Sequence, residues 1–228
     1  MANKALLTMS EEHRKVKDGF ITIAGKYRKL KKALITIAGK YRLCYLGELP
    51  PSKGLSYSLS YFGVGDSRYQ VMGRGSCTDS VIVIPETHTE NGETWNVYLV
   101  GGFSGDTAIT ELHLQKSVAS RAYEFKNCTN LKKVYNTQEV KYKCFSNCPS
   151  LELVKFRNGA NIEQSAFTGL PSNAVYDFTA CTKVCTVSAY DALDFGEGQV
   201  AIVPAHLLNE WKSATNWTVY AKYIKAAE

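Results

Sequence analysis

Long apolar runs are what this 228-residue chain most plainly lacks. No stretch approaches the roughly 20 apolar residues that span a bilayer, so insertion into a membrane is not expected. The opening MANKALLTMSEEHRKVKDG has one short apolar run, residues 5–7, soon followed by Glu11, Glu12 and His13, and a secretory leader is not expected either. Histidine is scarce: His13, His88, His113 and His206 sit in separate segments without H-x-x-x-H or H-E-x-x-H spacing, which offers no zinc site. There is no G-x-S-x-G elbow. The glycines of FGVGD (Gly63, Gly65) and GRG (Gly73, Gly75) lack the strand-to-helix context of phosphate-cradling loops and read as turn residues. The seven cysteines include no C-x-x-C pair. Three of them, Cys128, Cys148 and Cys181, follow similar polar runs, so a repeat position filled by a small buried side chain explains them better than disulfides or a metal. Nothing nominates a catalytic residue, a metal ligand or a cofactor, and an enzyme is not expected.

What is present is enough apolar material for a core, 45% of the chain, and a charge placed at one end. Residues 1–50 hold 11 of the 27 Lys and Arg but only 4 of the 21 Asp and Glu, so the whole positive excess lies there. Such a segment could meet nucleic acid, an anionic lipid surface or an acidic face of a protein, or be a solvated surface. Nucleic acid is the weaker reading, because the aromatics interleaved with the basic residues stop at Tyr27 and Tyr41.

Two sets of internal repeats organise the chain. ITIAGKYR occurs at residues 21–28 and again, unchanged, at 35–42. In each copy Ile-Thr-Ile alternates, Ala-Gly supplies a tight turn in which Gly25 or Gly39 takes positive φ, and Lys-Tyr-Arg begins a second strand. Four short strands of this kind form a small meander, too small for strong independent stability, so the module leans on something larger. The boundary falls at Pro50, Pro51 and Gly54. Beyond it, residues 56–61 and 69–72 read as paired strands and 80–85 as a short strand ended by Pro85.

The second set is longer. Phe125, Cys128, Leu131 and Val134 recur 20 residues later as Phe145, Cys148, Leu151 and Val154, with an earlier copy at Phe103, Asp106, Ile109 and Leu112 and a degenerate one from Phe167 and Leu170. Each turn has one apolar edge that it cannot bury alone, so four stacked turns of a solenoid are expected, with irregular turns near the ends. Outward strand residues alternate with core ones, which nominates Glu111, His113, Lys133, Tyr135, Leu153 and Lys155 as a candidate binding face, or an ordinary solvated one.

At these residues the chain resembles the BspA-like leucine-rich repeats, whose turns run A-F-x-x-C-x-x-L-x-x-V-x-I-P. KNCTNLKKV and SNCPSLELV match that form, Ser165-Ala166-Phe167 supplies its A-F pair, and 73–93 resembles the segment before the first turn. The match covers about residues 54–186, and 200–224 resembles the closing strand, proline and amphipathic helix, with Leu207, Leu208, Trp211 and Ala214 at helical spacing and Trp211 and Trp217 as core caps. The terminal I-P of each repeat is replaced by Tyr135-Asn136 and Phe156-Arg157.

The resemblance implies a β-rich α+β fold: a short leucine-rich-repeat solenoid with a C-terminal helical cap, preceded by a small antiparallel β-hairpin module. The expected division is a basic anchoring module at 1–50, a capping β segment at 54–100, the repeats at 101–186 and a strand-helix cap at 187–228. The tandem hairpins are similar to modules in proteins encoded by phages and prophages of Gram-positive gut bacteria. That likeness implies a virion protein of tail, baseplate or head surface, anchored to other virion proteins through Lys26, Arg28, Lys29, Lys31, Lys32, Lys40 and Arg42, present as a homo-oligomer, and displaying its repeats to a host-surface protein or glycan. The alternative is a bacterial surface adhesin.

Overall fold

Residues that alternate apolar and polar, with β-branched and aromatic side chains among them, pack best on a pleated surface. In the computed structural model the regular elements are accordingly almost all strands. It describes residues 49–61, 67–115 and 118–228, and before them only the backbone of five strands: β1 (Leu6–Thr8), β2 (Phe20–Ile23), β3 (Lys26–Lys29), β4 (Lys32–Ile37) and β5 (Lys40–Tyr45). The chain divides into two compact units, Met1–Pro50 and Pro51–Glu228.

In the first unit each ITIAGKYR copy is a hairpin. Ile23 lies opposite Lys26 in the antiparallel pair β2–β3, and Ile37 opposite Lys40 in β4–β5, which leaves two residues for each connection. The connecting residues, Gly25 and Gly39 included, lie outside the described residues. The expected meander is not what forms. β2–β3 is a sheet of two strands, while β4 carries β5 on one edge and β1, in parallel, on the other, with Leu6 opposite Leu34. Edge competition explains the difference: once β1 and β5 hold the two edges of β4, none is left for β3.

The second unit continues with β6 (Ser56–Tyr61), β7 (Ser67–Gly73), β8 (Val81–Ile84), β9 (Thr87–Glu90), β10 (Glu93–Val100), β11 (Glu111–Leu114), β12 (Ala119–Ser120), β13 (Lys133–Val140), β14 (Leu153–Ile162), β15 (Val175–Asp177), β16 (Thr186–Val187), β17 (Val200–Val203) and β18 (Ile224–Ala226). Among the described residues its one α-helix, α1 (Leu208–Ser213), lies between 3-10 turns at Ala205–Leu207 and Thr218–Tyr223. Among the described residues no helix is long and apolar enough to cross a membrane.

One parallel sheet runs β8-β11-β13-β14-β15-β17-β18. Its register aligns Ile82, Leu112, Val134, Val154, Tyr176, Ala201 and Ile224 in one row. Every member of that row is buried. A second parallel line joins β10 to β12 and the far halves of β13 and β14 to β16, with Val140, Ile162 and Val187 in register. Between the lines the loops stack as well: Phe125 N–H donates to Cys144 O (3.0 Å), Phe145 N–H to Ala166 O (2.9 Å), Asn127 N–H to Ser146 O (3.0 Å) and Asn147 N–H to Thr168 O (2.7 Å). Each turn thus bonds to the next along three lines, which satisfies loop backbone that would otherwise be buried unpaired.

Inside, Phe103, Phe125, Phe145 and Phe167 stack with centroids 5.5, 5.2 and 5.3 Å apart. The cysteine places behave as small buried groups: Cys128 Sγ donates to Phe103 O and Cys148 Sγ to Phe125 O, each at 3.1 Å, and Cys181 is buried too. In the first turn Asp106 stands at that place, and Arg74 answers its charge at 2.8 Å. In the fourth, Asn173 is exposed where Leu151 stood and Ala174 turns inward instead.

The ends are closed differently. Ser52 lies along the free edge of β8, donating its N–H to Val83 O and accepting Val83 N–H on Oγ, both at 3.0 Å. At the far end Trp211 and Trp217 are fully buried against Phe178, centroids 5.3 and 5.4 Å away, and Trp217 Nε1 donates to Cys185 O at 2.7 Å. Leu207 is buried there, with Leu208 and Ala214 packed against the core. Helix α1 is only six residues long because Ala214 is already extended, φ −70° and ψ 153°.

Candidate functional site

Parallel strands of equal pleat bring equivalent residues of successive turns side by side, about 4.8 Å apart. On the outer face this makes two rows. The first is Val81, Glu111, Lys133, Leu153, Val175 and Val200, all half-buried. The second begins with Val83, His113 and Tyr135 and resumes with Lys155, Asp177, Ile202 and Lys225. All six residues nominated from the sequence fall in these rows.

Their charges are answered within the face. Lys133 Nζ lies 3.3 Å from Glu111 Oε1 and Lys155 Nζ 3.0 Å from Asp177 Oδ2. The His113 and Tyr135 rings stack at 4.4 Å. His113 Nε2 approaches Glu111 Oε2 to 3.5 Å without making a hydrogen bond. Burial lowers the His113 pKa more than Glu111 raises it, so the imidazole is neutral near pH 7. Burial pushes the Asp177 carboxyl up, but the Thr179 hydroxyl and N–H and the Lys155 ammonium outweigh it and hold the group below the ordinary carboxylate range. The hydrogen bond to Glu111 raises Lys133. Each pair is partly exposed and contributes little stability. Its effect is to fix side chains in place, an arrangement suited to contact rather than to proton transfer.

The rows extend past the nominated set. Val175, Val200 and Ile202 make the face apolar toward the C-terminal end, while Asp177 partners Lys155. A signal for two of them was in the sequence: Glu111, Lys133 and Leu153 stand eight residues after Phe103, Phe125 and Phe145, and the same step from Phe167 reaches Val175, with Asp177 two further on. Val200 and Ile202 have no such phenylalanine before them.

Of the nominated anchoring residues, Lys26, Arg28 and Lys29 fall in β3, Lys32 in β4, and Lys40 and Arg42 in β5. Their side chains, and Lys31 altogether, lie outside the described residues. So do Gly63 and Gly65, whereas Gly75 sits in a turn at φ 56° and Gly73, at φ 135°, is instead the last residue of β7, paired with Ser56.

Fold and face together define a class: a β-rich protein of stacked parallel-strand turns with a short C-terminal helix and an ordered outer sheet surface. No family model matches the chain, and no curated protein matches it. Among solved structures it is similar to a leucine-rich repeat protein from Bacteroides ovatus, at 17% identity over 67% of this chain and 48% of that one, TM-score 0.43. It is also similar to a leucine rich cell surface protein from Faecalibacterium prausnitzii, at 14% identity over 78% of this chain and 55% of that one, TM-score 0.35. The chain therefore spans about half the length of each.

Proposed function

We propose that this chain is a non-enzymatic display protein. Residues 51–228 are a short BspA-like leucine-rich-repeat solenoid whose outer sheet rows contact a partner, a protein or a glycan of a host surface. Residues 1–50 dock it on other proteins of a phage particle, in several copies. The observation that carries the reading is the register of the outer face: Glu111, Lys133, Leu153, Val175 and Val200 line up across five successive strands, so binding groups from separate turns form one surface. The test is mass spectrometry of density-purified particles. Stoichiometric recovery supports the reading, and absence from the particles removes it. A second reading, a bacterial surface adhesin, is favoured by the closure of the repeat unit at both ends, at Ser52 and at Trp211 and Trp217, which needs no particle around it. Recovery from the surface of uninfected cells would select it.

A further inference from the structure

The loops that carry Phe125 and Phe145 gather two tyrosines and two lysines in one cluster. Tyr123 and Lys143 occupy the same place in consecutive turns, two residues before the stacked phenylalanine, and both take left-handed backbone, φ 62° and 51°. Two residues after the phenylalanine the same conformation recurs, and there the chain uses Gly105, Asn127, Asn147 and Gly169, which adopt it with little strain. At the earlier place the left-handed backbone recurs one turn on at Ser165 (φ 52°), so it belongs to the turn, and Tyr123 and Lys143 are the bulky residues that hold it there, in one cluster with Lys126 and Tyr142.

In that cluster the Tyr123 and Tyr142 rings meet edge to face, centroids 5.3 Å apart. Lys126 Nζ stands 5.8 Å from the Tyr123 centroid and Lys143 Nζ 5.0 Å from that of Tyr142. Tyr123 is 42% exposed. The nearby carboxylates are occupied elsewhere: Glu124 accepts the Gly102 N–H (2.6 Å), Glu163 the Tyr142 N–H (3.0 Å) and Lys141 (2.9 Å), and Asp191 the Ser165 hydroxyl (2.9 Å) and Gln164 (3.2 Å). Among the described residues neither Lys126 nor Lys143 has a carboxylate partner.

We propose that Tyr123, Lys126, Tyr142 and Lys143 form a binding site for an acidic saccharide unit. The apolar face of the sugar lies on the Tyr123 ring, its hydroxyls bond the linked Tyr123 and Tyr142 phenols, and its carboxylate meets the Lys126 ammonium and the Lys143 ammonium that the Tyr142 hydroxyl already holds in place. A peptide partner fits less well, because the local backbone donors are spent between turns: Tyr123 N–H on Tyr142 O, Phe125 N–H on Cys144 O, Phe145 N–H on Ala166 O. A nucleobase fits less well because perpendicular rings offer no slot between parallel faces. The site lies in the loops, not on the sheet rows, so it stands or falls apart from particle association.

The test titrates the full chain with an oligogalacturonate and with its methyl ester, which keeps the sugar ring and removes the charge at the cost of one added methyl group per carboxyl. Wild type is expected to bind the acid at least tenfold more tightly than the ester. The double variant Tyr123→Asn, Lys143→Asn relieves the left-handed strain, so its Tm should hold or rise while affinity for the acid falls at least tenfold. A variant of the basic module, Lys29→Ser with Lys31→Ser and Lys32→Ser, should bind as wild type does. The proposal is overturned if wild type does not distinguish acid from ester, if the loop variant keeps its affinity, if the module variant alone loses it, or if oligothymidylate or oligoglutamate binds the loop site more tightly.

Discussion

Phe145 is a fully buried ring between Phe125 and Phe167, so replacing it leaves a void that neighbours on both sides cannot fill together. Phe145→Ala should cost about 3–5 kcal/mol of unfolding free energy, measured by denaturant titration, and a loss under about 1 kcal/mol would sink its place in the stack. The cysteines make a pH prediction. Burial pushes the thiols of Cys128, Cys144 and Cys148 up to about 12, while in the unfolded chain a thiol ionises near about 8.5. Between those values the unfolded state has released protons that the folded state keeps, so stability is whole below about 8.5 and falls as pH rises toward 12. Thermal melts in reductant should show Tm dropping from pH 8 to pH 10, and an unchanged Tm would argue against buried thiols. At this scale the sequence was readable where spacing repeats, as with every Phe, Cys, Leu and Val of the two regular turns. It was not readable at Asp106, whose partner Arg74 lies 32 residues away and leaves no local mark.

A turn of the stack depends on residues that tolerate left-handed backbone as much as on its apolar ones. Asn147 has φ 57° and donates from Nδ2 to Asn127 Oδ1 at 2.8 Å. Asn147→Ala should cost about 1–2 kcal/mol, while Asn147→Gly, which keeps the conformation, should cost less. The reverse order in chemical denaturation would remove backbone conformation as the cause. Gly102 is stricter: at φ 75° an added Cβ would run into the Met72 carbonyl, so Gly102→Ala should destabilise by more than about 1 kcal/mol in the same measurement. Strand β8 was legible as a short apolar run ended by Pro85, and β11, β13 and β14 from the spacing of the repeat. The hairpin β9–β10 carries a readable turn, Asn91-Gly92, both at positive φ, that the sequence reading passed over. Strands β12, β16 and β18 are two or three residues long, too short for any period to show. The hairpins of the first unit were legible because their pairing is local, and their arrangement was not, because it hangs on β1, each residue of which pairs 28 residues further along the chain.

The second unit as a whole behaves as a stack in one dimension, each turn bonded to its neighbours. Removing residues 125–144 takes out one turn and leaves Phe145 22 residues after Phe103, the same interval as from Phe145 to Phe167. That deletion should fold, with a lower Tm and circular dichroism per residue close to the parent. Removing 130–144 instead shifts the register and should abolish cooperative melting. The outer face was partly legible for the same reason: its rows follow from the repeat, whereas the salt links and ring stack that fix them depend on registers seen only in three dimensions.

Ser52 has a consequence for assembly. A strand stack invites growth by end-on addition, and an open filament needs two free ends on every copy. With the edge of β8 held by Ser52 of the chain's own backbone, another copy cannot add a strand there, so this parallel sheet cannot grow head to tail into an open filament. The segment that begins the unit therefore also acts as a stop against open-ended growth of the stack.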